Sequence, residues 1–181
     1  SDMHRARAAA LLREVEDSRA IMTRMAIPTD KSLGDVLMLS ALEAGFTLDQ
    51  HSEANAVMGS TFTGCARAAY ELALDYAHER KQGGVPIIRH QDVRRRLFHM
   101  ARKVEISRAL ARRATLFNMT APIPALQTAM FSKVTSTQHA FEVASDALQL
   151  FGGNGLAKQY PVEKLLRDAR ASLIEDGCNE V

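Results

Sequence analysis

The chain has 181 residues, of which 46% are hydrophobic, and it carries a formal net charge of +2 at pH 7. This length suits about one domain with its own core, and the low net charge gives no bulk electrostatic reason to expect a nucleic-acid partner. Two cysteines and six dispersed histidines do not form a disulfide framework or a metal-ligand pattern, so no metal is expected. No apolar run approaches the roughly 18 residues of a membrane span, and the amino-terminal stretch lacks the apolar centre of a signal peptide. We therefore expect a cytoplasmic bacterial protein, with the mitochondrial matrix as a less favoured alternative.

The first 54 residues have a mixed pattern and are left unassigned. Apolar residues recur every three to four positions from Arg5 to Met25, which predicts a helix. Pro28 and Gly34 interrupt the pattern, and the following run, VLMLSALEAGFTL, is compatible with either a helix or a strand. This part of the chain is interpreted as a helical segment or linker.

Residues 55–181 are predicted to form an all-α, antiparallel four-helix bundle. Helical spacing covers about 55–80, 91–117 and 125–151, with a loop at 81–88, and Pro161 stands where a short fourth helix would start. No segment alternates convincingly as a strand would, and three or four long helices with modest loops favour an antiparallel bundle. Seven large apolar side chains are predicted to be buried in it: Leu97, Met100, Val104, Phe131, Val134, Phe141 and Leu148.

The third long helix ends in an unusual glycine turn, FGGNGL. Gly152, Gly153 and Gly155 lie within four positions, whereas a helix end needs only one glycine. A backbone without Cβ atoms allows a ligand to approach closely. The simpler alternative is a helix cap followed by a turn before Pro161, and the two interpretations are compatible.

Two blocks of sequence resemble the acyl-CoA dehydrogenases, a family of flavoenzymes. The first is YELALDYAHERKQGGVPIIRHQDVRRRLFHMARKVEISRA, which contains an Arg-Lys-x-x-Gly loop and a His-Gln helix start. The second is DALQLFGGNGLAKQYPVEKLLRDARASLIEDGCNEV. The blocks occur in the family's order, and the resemblance covers residues 55–181. It is therefore specific, whereas the glycine turn alone would be a weak signal.

The resemblance implies the C-terminal helical domain of an enzyme that binds FAD and forms homodimers or homotetramers. Arg80 is expected to contact the flavin pyrophosphate, and residues 149–153 are expected to reach the cofactor of a neighbouring subunit. Taken alone, Arg80, Lys81 and His90 would be ordinary residues at helix ends. The implied cofactor-binding residues are Arg80, Lys81, Gln82, His90, Gln91, Gln149, Leu150, Phe151, Gly152, Gly153, Cys178, Asn179 and Glu180.

The implied catalytic residue departs from the family's usual pattern. Family members remove the substrate's α-proton with a carboxylate, commonly a glutamate that precedes a Gly-Thr pair. The aligned residue here is Asp176, followed by Gly177, which is assigned to substrate binding, and by Cys178. An aspartate is one methylene shorter, but some family members that act on cyclic acyl-CoA substrates use one. Glu175 ranks second, and Glu53 is one residue away from another position that the family uses for its base.

Other kinds of function remain open from the sequence. The chain has no β-rich segment, so it is expected to be part of a longer protein or, less favoured, a subunit completed by a partner. It could also be a non-catalytic oligomerisation subunit, or resemble a DNA-binding relative through its arginine-rich stretch from Arg94 to Arg113. Acidic Glu105 interrupts that stretch, and helical spacing spreads the charges over more than one face, which favours a solvated or docking surface. An acyl-CoA substrate and an electron-transfer acceptor are the other expected partners.

Overall fold

The computed structural model describes residues 48–121, 126–175 and 177–180, and side chains from residue 52 onward. The expected elements between residues 1 and 47 lie outside the described residues. The described chain contains four helices, a two-stranded hairpin and two 3-10 turns. They are α1 (Leu48–Glu79), β1 (Lys81–Gln82), β2 (Val85–Pro86), a turn at Ile87–Arg89, α2 (Gln91–Thr120), α3 (Leu126–Phe151), a turn at Gly152–Leu156 and α4 (Val162–Ala171).

Helices that follow one another along the chain run antiparallel. Residue 60 of α1 hydrogen-bonds with residue 115 of α2, and residue 52 with residue 118. Positions earlier in α1 therefore meet positions later in α2, so the two helices run in opposite directions. The same holds for α2 and α3, where 103 and 107 contact 142 and 139. In contrast, α1 and α3 are parallel, since 63 pairs with 136 and 76 with 151. The predicted all-α four-helix bundle is confirmed, and α1 begins at Leu48 rather than near residue 55.

The boundaries of α2 follow from local backbone chemistry. In the hairpin that precedes α2, Gly83 and Gly84 have φ of 61° and 79°, as the tight turn of a two-residue hairpin requires. The predicted loop at 81–88 therefore contains a short ladder, too short to show strand alternation in the sequence. At the end of α2, Ala121 is extended with φ −81° and ψ 142°, because Pro122 disfavours helical geometry in the residue before it.

The predicted core of α2 is correct, but that of α3 is partly wrong. Leu97, Met100 and Val104 are buried, whereas Phe131 and Val134 are 53% and 37% exposed. Phe141 and Leu148 pack partly buried against the core. The buried face of α3 is mostly made of small residues, namely Ala129, Ser132, Ser136, Thr137, Ala140, Ala144 and Ala147.

The small residues of α3 match small residues on α1, so the two helices approach closely. A Cβ added at Gly59 would lie 2.1 Å from Ser132 Oγ and 3.1 Å from the Ser132 carbonyl carbon. Further along α1, Ala66, Ala69, Ala73 and Ala77 are all fully buried. Large side chains do not fit into such an interface, which explains why Phe131 and Val134 lie outside it.

Candidate functional site

One end of the bundle carries a groove of about 370 Å³ that unites two distant parts of the sequence. We call it the end groove. Arg80, Gln82 and Ile87 from the end of α1 and the hairpin form one side, and residues 149–154 of the glycine turn form the other. The family resemblance assigned Arg80, Gln82 and residues 149–153 separately to cofactor binding. The fold places all of them around one opening.

Three aromatic rings pack against one another beside this groove, and two of them, those of Tyr76 and Phe151, belong to residues that line it. The rings of Tyr76 and Phe151 stack with their centroids 4.0 Å apart, and Tyr160 meets both edge-on. The Tyr76 hydroxyl donates to the Phe151 carbonyl oxygen at 3.4 Å and accepts a hydrogen bond from Asn154 Nδ2 at 2.9 Å. The glycine turn is therefore fastened to α1 from two directions, so its backbone is held in place.

The three glycines of the turn have three different structural roles. Gly152 has φ of +60°, the left-handed conformation that commonly ends a helix. Gly155 is buried, and a Cβ there would come within 3.0 Å of the Leu148 carbonyl oxygen. Gly153 has negative φ, and a Cβ there would meet nothing within 4 Å. A Cβ is disfavoured at Gly152 by the backbone conformation and at Gly155 by packing within the chain, whereas Gly153 has neither restriction and faces open space.

The hairpin positions Arg80 at the groove. The Ile87 amide donates to the Arg80 carbonyl oxygen at 2.8 Å, which closes the hairpin against the end of α1. His90 precedes α2 and its Nε2 lies 3.3 Å from the Gln82 carbonyl oxygen, so the Nε2–H tautomer donates a hydrogen bond there. No described carboxylate forms an ion pair with Arg80, and its guanidinium is exposed.

The remaining predicted cofactor residues divide between the groove's edge and another part of the bundle. Lys81 and Gln91 are exposed beside the groove but do not line it. Cys178 and Asn179 are half-buried, whereas Gly177 and Glu180 are exposed. Asp176, the predicted base, lies outside the described residues.

The C-terminal segment, which we define as residues 175 and 177–180, lies along the middle of α3. Lys133 Nζ donates to the carbonyl oxygens of Glu175, at 3.2 Å, and Gly177. Asn179 Nδ2 donates to Thr137 Oγ1 at 2.7 Å. Thr137 and Gln149 are 12 residues apart on one helix, which is about 18 Å at a rise of 1.5 Å per residue. The predicted cofactor residues therefore form two groups, one at each of these positions.

Three residues that line the groove, Tyr76, Ile87 and Asn154, were missed by sequence reasoning. Tyr76 and Asn154 line the end groove and hydrogen-bond to each other. Tyr76 precedes Arg80 by four residues, so the two share a helix face. That spacing was available in the sequence. The position of Asn154 depends on the turn geometry and was not.

Four of the eight basic residues in the arginine-rich stretch form ion pairs with described carboxylates. Arg95 pairs with Asp92 at 3.1 Å, Arg108 with Glu105 at 2.9 Å, and Lys103 with Glu142 at 2.7 Å. A further ion pair joins Arg96 of α2 to Asp146 of α3. These cations are balanced by neighbouring carboxylates, so the stretch does not present a uniformly positive surface of the kind that nucleic acid requires.

Two half-buried groups that are not predicted site residues, His139 and Cys65, have shifted pKa values. Burial lowers the pKa of His139, whose Nδ1 lies 3.0 Å from Ser107 Oγ. Burial, with a contribution from Asp168, raises the pKa of the Cys65 thiol, and its Sγ lies 3.7 Å from the Leu165 carbonyl oxygen. Cys65 packs against the core, as the sequence predicted.

Two kinds of feature are absent from the described residues. Nowhere in 48–121, 126–175 and 177–180 do three or more histidine, cysteine or acidic side chains cluster as metal ligands would. Among the helices of these same ranges, none combines the length and apolar character that crossing a membrane requires.

The fold and the site together define a helical bundle with an open, cationic groove at one end and a fastened carboxyl-terminal segment beside its third helix. Residues 50–181 match the family model described as acyl-CoA dehydrogenase, C-terminal domain. An acyl-CoA dehydrogenase of Bacillus subtilis is 40% identical over 119 residues, which cover 65% of this chain and 31% of that protein. Cyclohexane-1-carbonyl-CoA dehydrogenase of Geobacter metallireducens is 33% identical over 125 residues, covering 68% and 32%.

A solved structure shows the same architecture. Butyryl-CoA dehydrogenase of Megasphaera elsdenii superposes with a TM-score of 0.71 at 28% identity, over 74% of this chain and 34% of that one. The chain belongs to the acyl-CoA dehydrogenase family, and it matches the C-terminal helical domain of that family. It spans about a third of the length of the curated relatives it matches.

Proposed function

We propose that this chain forms the C-terminal helical part of a flavin-dependent acyl-CoA dehydrogenase, with FAD as the cofactor. The observation that carries the proposal is the end groove. It brings Arg80 and Gln82 to the glycine turn across some 70 residues of sequence, in a chain of this family. Two segments that resemble the family's flavin-contacting motifs therefore meet at one opening.

The residues of the groove fit an anionic dinucleotide. Arg80 offers an exposed guanidinium with no described carboxylate beside it, and a guanidinium presents its donors in a fork that suits phosphate oxygens. Gly153 leaves open space where a Cβ would otherwise project. The amide of Gln149 is exposed at the same opening. These groups would hold the pyrophosphate portion.

The C-terminal segment fits the part of the site where the substrate would react. The Oδ1 atom of Asn179 is buried and accepts no hydrogen bond from the described residues, and an orphaned acceptor of this kind suits a ligand N–H. The segment supplies Asp176 as the base, Gly177 beside the substrate, and Cys178 and Glu180 near the cofactor.

The chemistry assigned to this chain is the removal of one proton. The Asp176 carboxylate takes the proton from the α-carbon of an acyl-CoA thioester, and the electron pair of that C–H bond forms the new double bond to the β-carbon. A bound flavin supplies the acceptor for the hydride that leaves the β-carbon. A base that works near neutral pH needs a raised pKa, which burial beside substrate and cofactor would give an aspartate.

A cyclic acyl-CoA is the substrate class that we favour. Asp176 replaces the glutamate that is common in the family, and the resemblance associates an aspartate with cyclic substrates. A matching relative is named cyclohexane-1-carbonyl-CoA dehydrogenase. The shorter side chain of aspartate leaves more space beside the substrate. This space suits a substrate whose α-carbon belongs to a ring.

The surface of the bundle supports association with further copies. Several large apolar side chains are exposed, among them Phe98 at 66%, Leu116 at 61% and Met119 at 77%. Leu116 and Met119 are three residues apart and so are neighbours on the surface of α2, and adjacent exposed apolar groups suit a contact with another protein. We assign these side chains to the contacts of a homodimer or homotetramer. We further propose an electron-transfer protein as a separate partner and the bacterial cytoplasm as the location.

The proposal is tested by the visible absorbance of the flavin. The protein is purified with its flavin and mixed anaerobically with cyclohexane-1-carbonyl-CoA or with straight-chain acyl-CoA thioesters. We expect the oxidised flavin band to bleach, most rapidly with the cyclic substrate. The Asp176→Asn variant should keep its flavin and bind ligand but lose bleaching, while Asp176→Glu should retain some.

Two results would contradict the proposal. One is an Asp176→Asn variant that bleaches at the parental rate with every thioester. The other is a purified protein that carries no flavin unless a partner chain is present, which would favour the oligomerisation-subunit alternative. Glu175→Gln serves as the matched control, because it removes the neighbouring carboxylate and should leave bleaching intact.

A further inference from the structure

Lys133 is a buried lysine in the middle of α3, far from the end groove. Its residue surface is 4% exposed, although it carries a charged ammonium group. A buried charge is costly unless hydrogen bonds or an opposite charge compensate it. Most positions on the same face of α3 are alanine, serine or threonine. A lysine there is therefore explained by what its ammonium binds.

The ammonium of Lys133 binds backbone oxygens on both sides of one residue. Its Nζ donates to the carbonyl of Glu175 at 3.2 Å and to the carbonyl of Gly177. The residue between these two carbonyls is Asp176. Gly177 has φ of +88°, so the chain turns sharply at this point in a conformation that only glycine adopts readily.

A second contact fastens the same segment one helical turn further along α3. Thr137 is fully buried, donates to the Lys133 carbonyl oxygen at 2.9 Å and accepts from Asn179 Nδ2 at 2.7 Å. Positions 133 and 137 share a helix face because they are four residues apart. The Asn179 amide also donates to the Leu173 carbonyl oxygen at 3.2 Å. The segment is thus held at both ends of its turn.

We infer that Lys133 is a positioning residue, which holds the backbone on both sides of the proposed base by binding the carbonyl oxygens of Glu175 and Gly177. This inference rests on the proposed function, in which Asp176 is the base. Proton transfer depends on placement, and a displacement of about 1 Å can cost about a hundredfold in rate. The shorter side chain of aspartate leaves the backbone to set most of its reach.

The test compares variants at position 133 in rate, binding and backbone protection. Lys133→Met removes the donor while keeping a similar volume, and Lys133→Arg keeps the charge. In the flavin-loaded protein we expect Lys133→Met to slow flavin reduction about a hundredfold, with the dissociation constant for acyl-CoA unchanged. Lys133→Arg should recover part of the rate. In the full chain, hydrogen exchange at the Asn179 amide should become faster in Lys133→Met.

Lys103→Met is the matched control. Lys103 has a side chain only 17% exposed and pairs with Glu142 across α2 and α3, away from the C-terminal segment. Its replacement should lower stability but leave both the reduction rate and exchange at Asn179 at parental values. If Lys133→Met itself fails to fold, Lys133→Gln, which keeps a neutral donor, is measured in its place.

The outcomes separate the two proposals. A parental reduction rate in Lys133→Met, together with an inactive Asp176→Asn variant, overturns the role of Lys133 and leaves the proposed function standing. An equal loss in Lys133→Met and Lys133→Arg together with weaker acyl-CoA binding also overturns it, since that pattern describes general damage to the fold. An active Asp176→Asn variant overturns the proposed function, and the role of Lys133 with it.

Discussion

The end groove and the C-terminal segment both contain predicted cofactor residues, but they differ in whether their polar groups are exposed or already bound within the chain. In the groove, Arg80 and Gly153 face open space, and the surrounding structure is fastened from behind by Tyr76. In the C-terminal segment, Lys133 and Thr137 are buried and use their polar atoms within the chain. The groove leaves its polar groups open, whereas the segment is held in place by contacts within the chain.

This difference predicts that substitutions in the two regions should fail in different ways. Changes to groove surfaces should lower flavin retention with little effect on folding. Changes at buried contacts should lower the free energy of unfolding. The following comparisons test that division from the largest expected effect to the smallest.

The glycine turn should separate packing from ligand approach. Gly155→Ala is expected to lower the free energy of unfolding by about 2–3 kcal/mol, because the new Cβ would crowd the Leu148 carbonyl oxygen at 3.0 Å. Gly153→Ala should change it by less than about 0.5 kcal/mol and should instead weaken flavin retention. Urea unfolding and flavin absorbance measure the two effects. Equal destabilisation by both substitutions would refute the assignment of separate roles.

The buried contact at Thr137 should be the next most costly to remove. Thr137→Val keeps the shape of the side chain but leaves Asn179 Nδ2 without its acceptor, at a cost of about 1–3 kcal/mol. Hydrogen exchange at the Asn179 amide should also become faster. Thr120→Val is the control, since that exposed hydroxyl bonds only to the Leu116 carbonyl oxygen and should matter little. Unchanged exchange in Thr137→Val would show that the segment is held in some other way.

Replacing Gly152, which has a positive φ, should lower the free energy of unfolding by a smaller amount. Gly152→Ala forces a Cβ into a left-handed conformation with φ of +60°, which costs about 1 kcal/mol. Gly152→Asn should recover much of this loss, because asparagine tolerates that conformation. Thermal unfolding of the two variants provides the measurement. Equal stability of Gly152→Ala and the parent would mean that this glycine is not needed as a helix stop.

The smallest expected effect is a dependence of stability on pH through His139. Burial lowers its pKa in the folded state, so the unfolded chain binds the proton more readily as pH falls. Stability should therefore be greatest above the unfolded value of about 6.5 and decrease as pH falls below it. His139→Gln should flatten this part of the curve. Since His139 lies between the two regions on α3, neither flavin retention nor exchange at Asn179 should follow its titration.

The helices and most residues of the end groove were predictable from the sequence, for identifiable reasons. The three-to-four-residue spacing marked α2 correctly through Leu97, Met100 and Val104. Motifs on either side of the groove carried the family resemblance, which implied that each of them contacts a flavin. The same logic failed for Phe131 and Val134, because the spacing of large apolar residues did not show that alanine and serine form the close interface.

The role of Lys133 could not be predicted from the sequence. A single lysine in a helix is ordinarily solvated, and no local pattern distinguishes position 133 from an exposed one. Its burial follows from the return of the chain along α3 after α4, which brings residues 175 and 177 beside it. Only the tertiary fold reveals that contact.

Under the proposed function, the groove and the C-terminal segment of one chain would serve different flavins. The two lie about 18 Å apart along α3, and the ribityl chain between a flavin's ring and its pyrophosphate is shorter than that. A groove would then complete the site of a neighbouring copy, whose own C-terminal segment supplies the base. A single measurement on mixed oligomers tests this directly.

Hybrid dimers are prepared from one Arg80→Ala chain and one Asp176→Asn chain that carry different affinity tags, and flavin bleaching by acyl-CoA is measured in the isolated hybrid. If the groove serves the partner, one site of the hybrid receives both intact parts, so about half of its sites should bleach at the parental rate. A hybrid with both substitutions in one chain and none in the other should be inactive, because each site then has one defect. Bleaching in this second hybrid and none in the first would contradict the account, since the groove and the base of a single chain would then act on the same flavin.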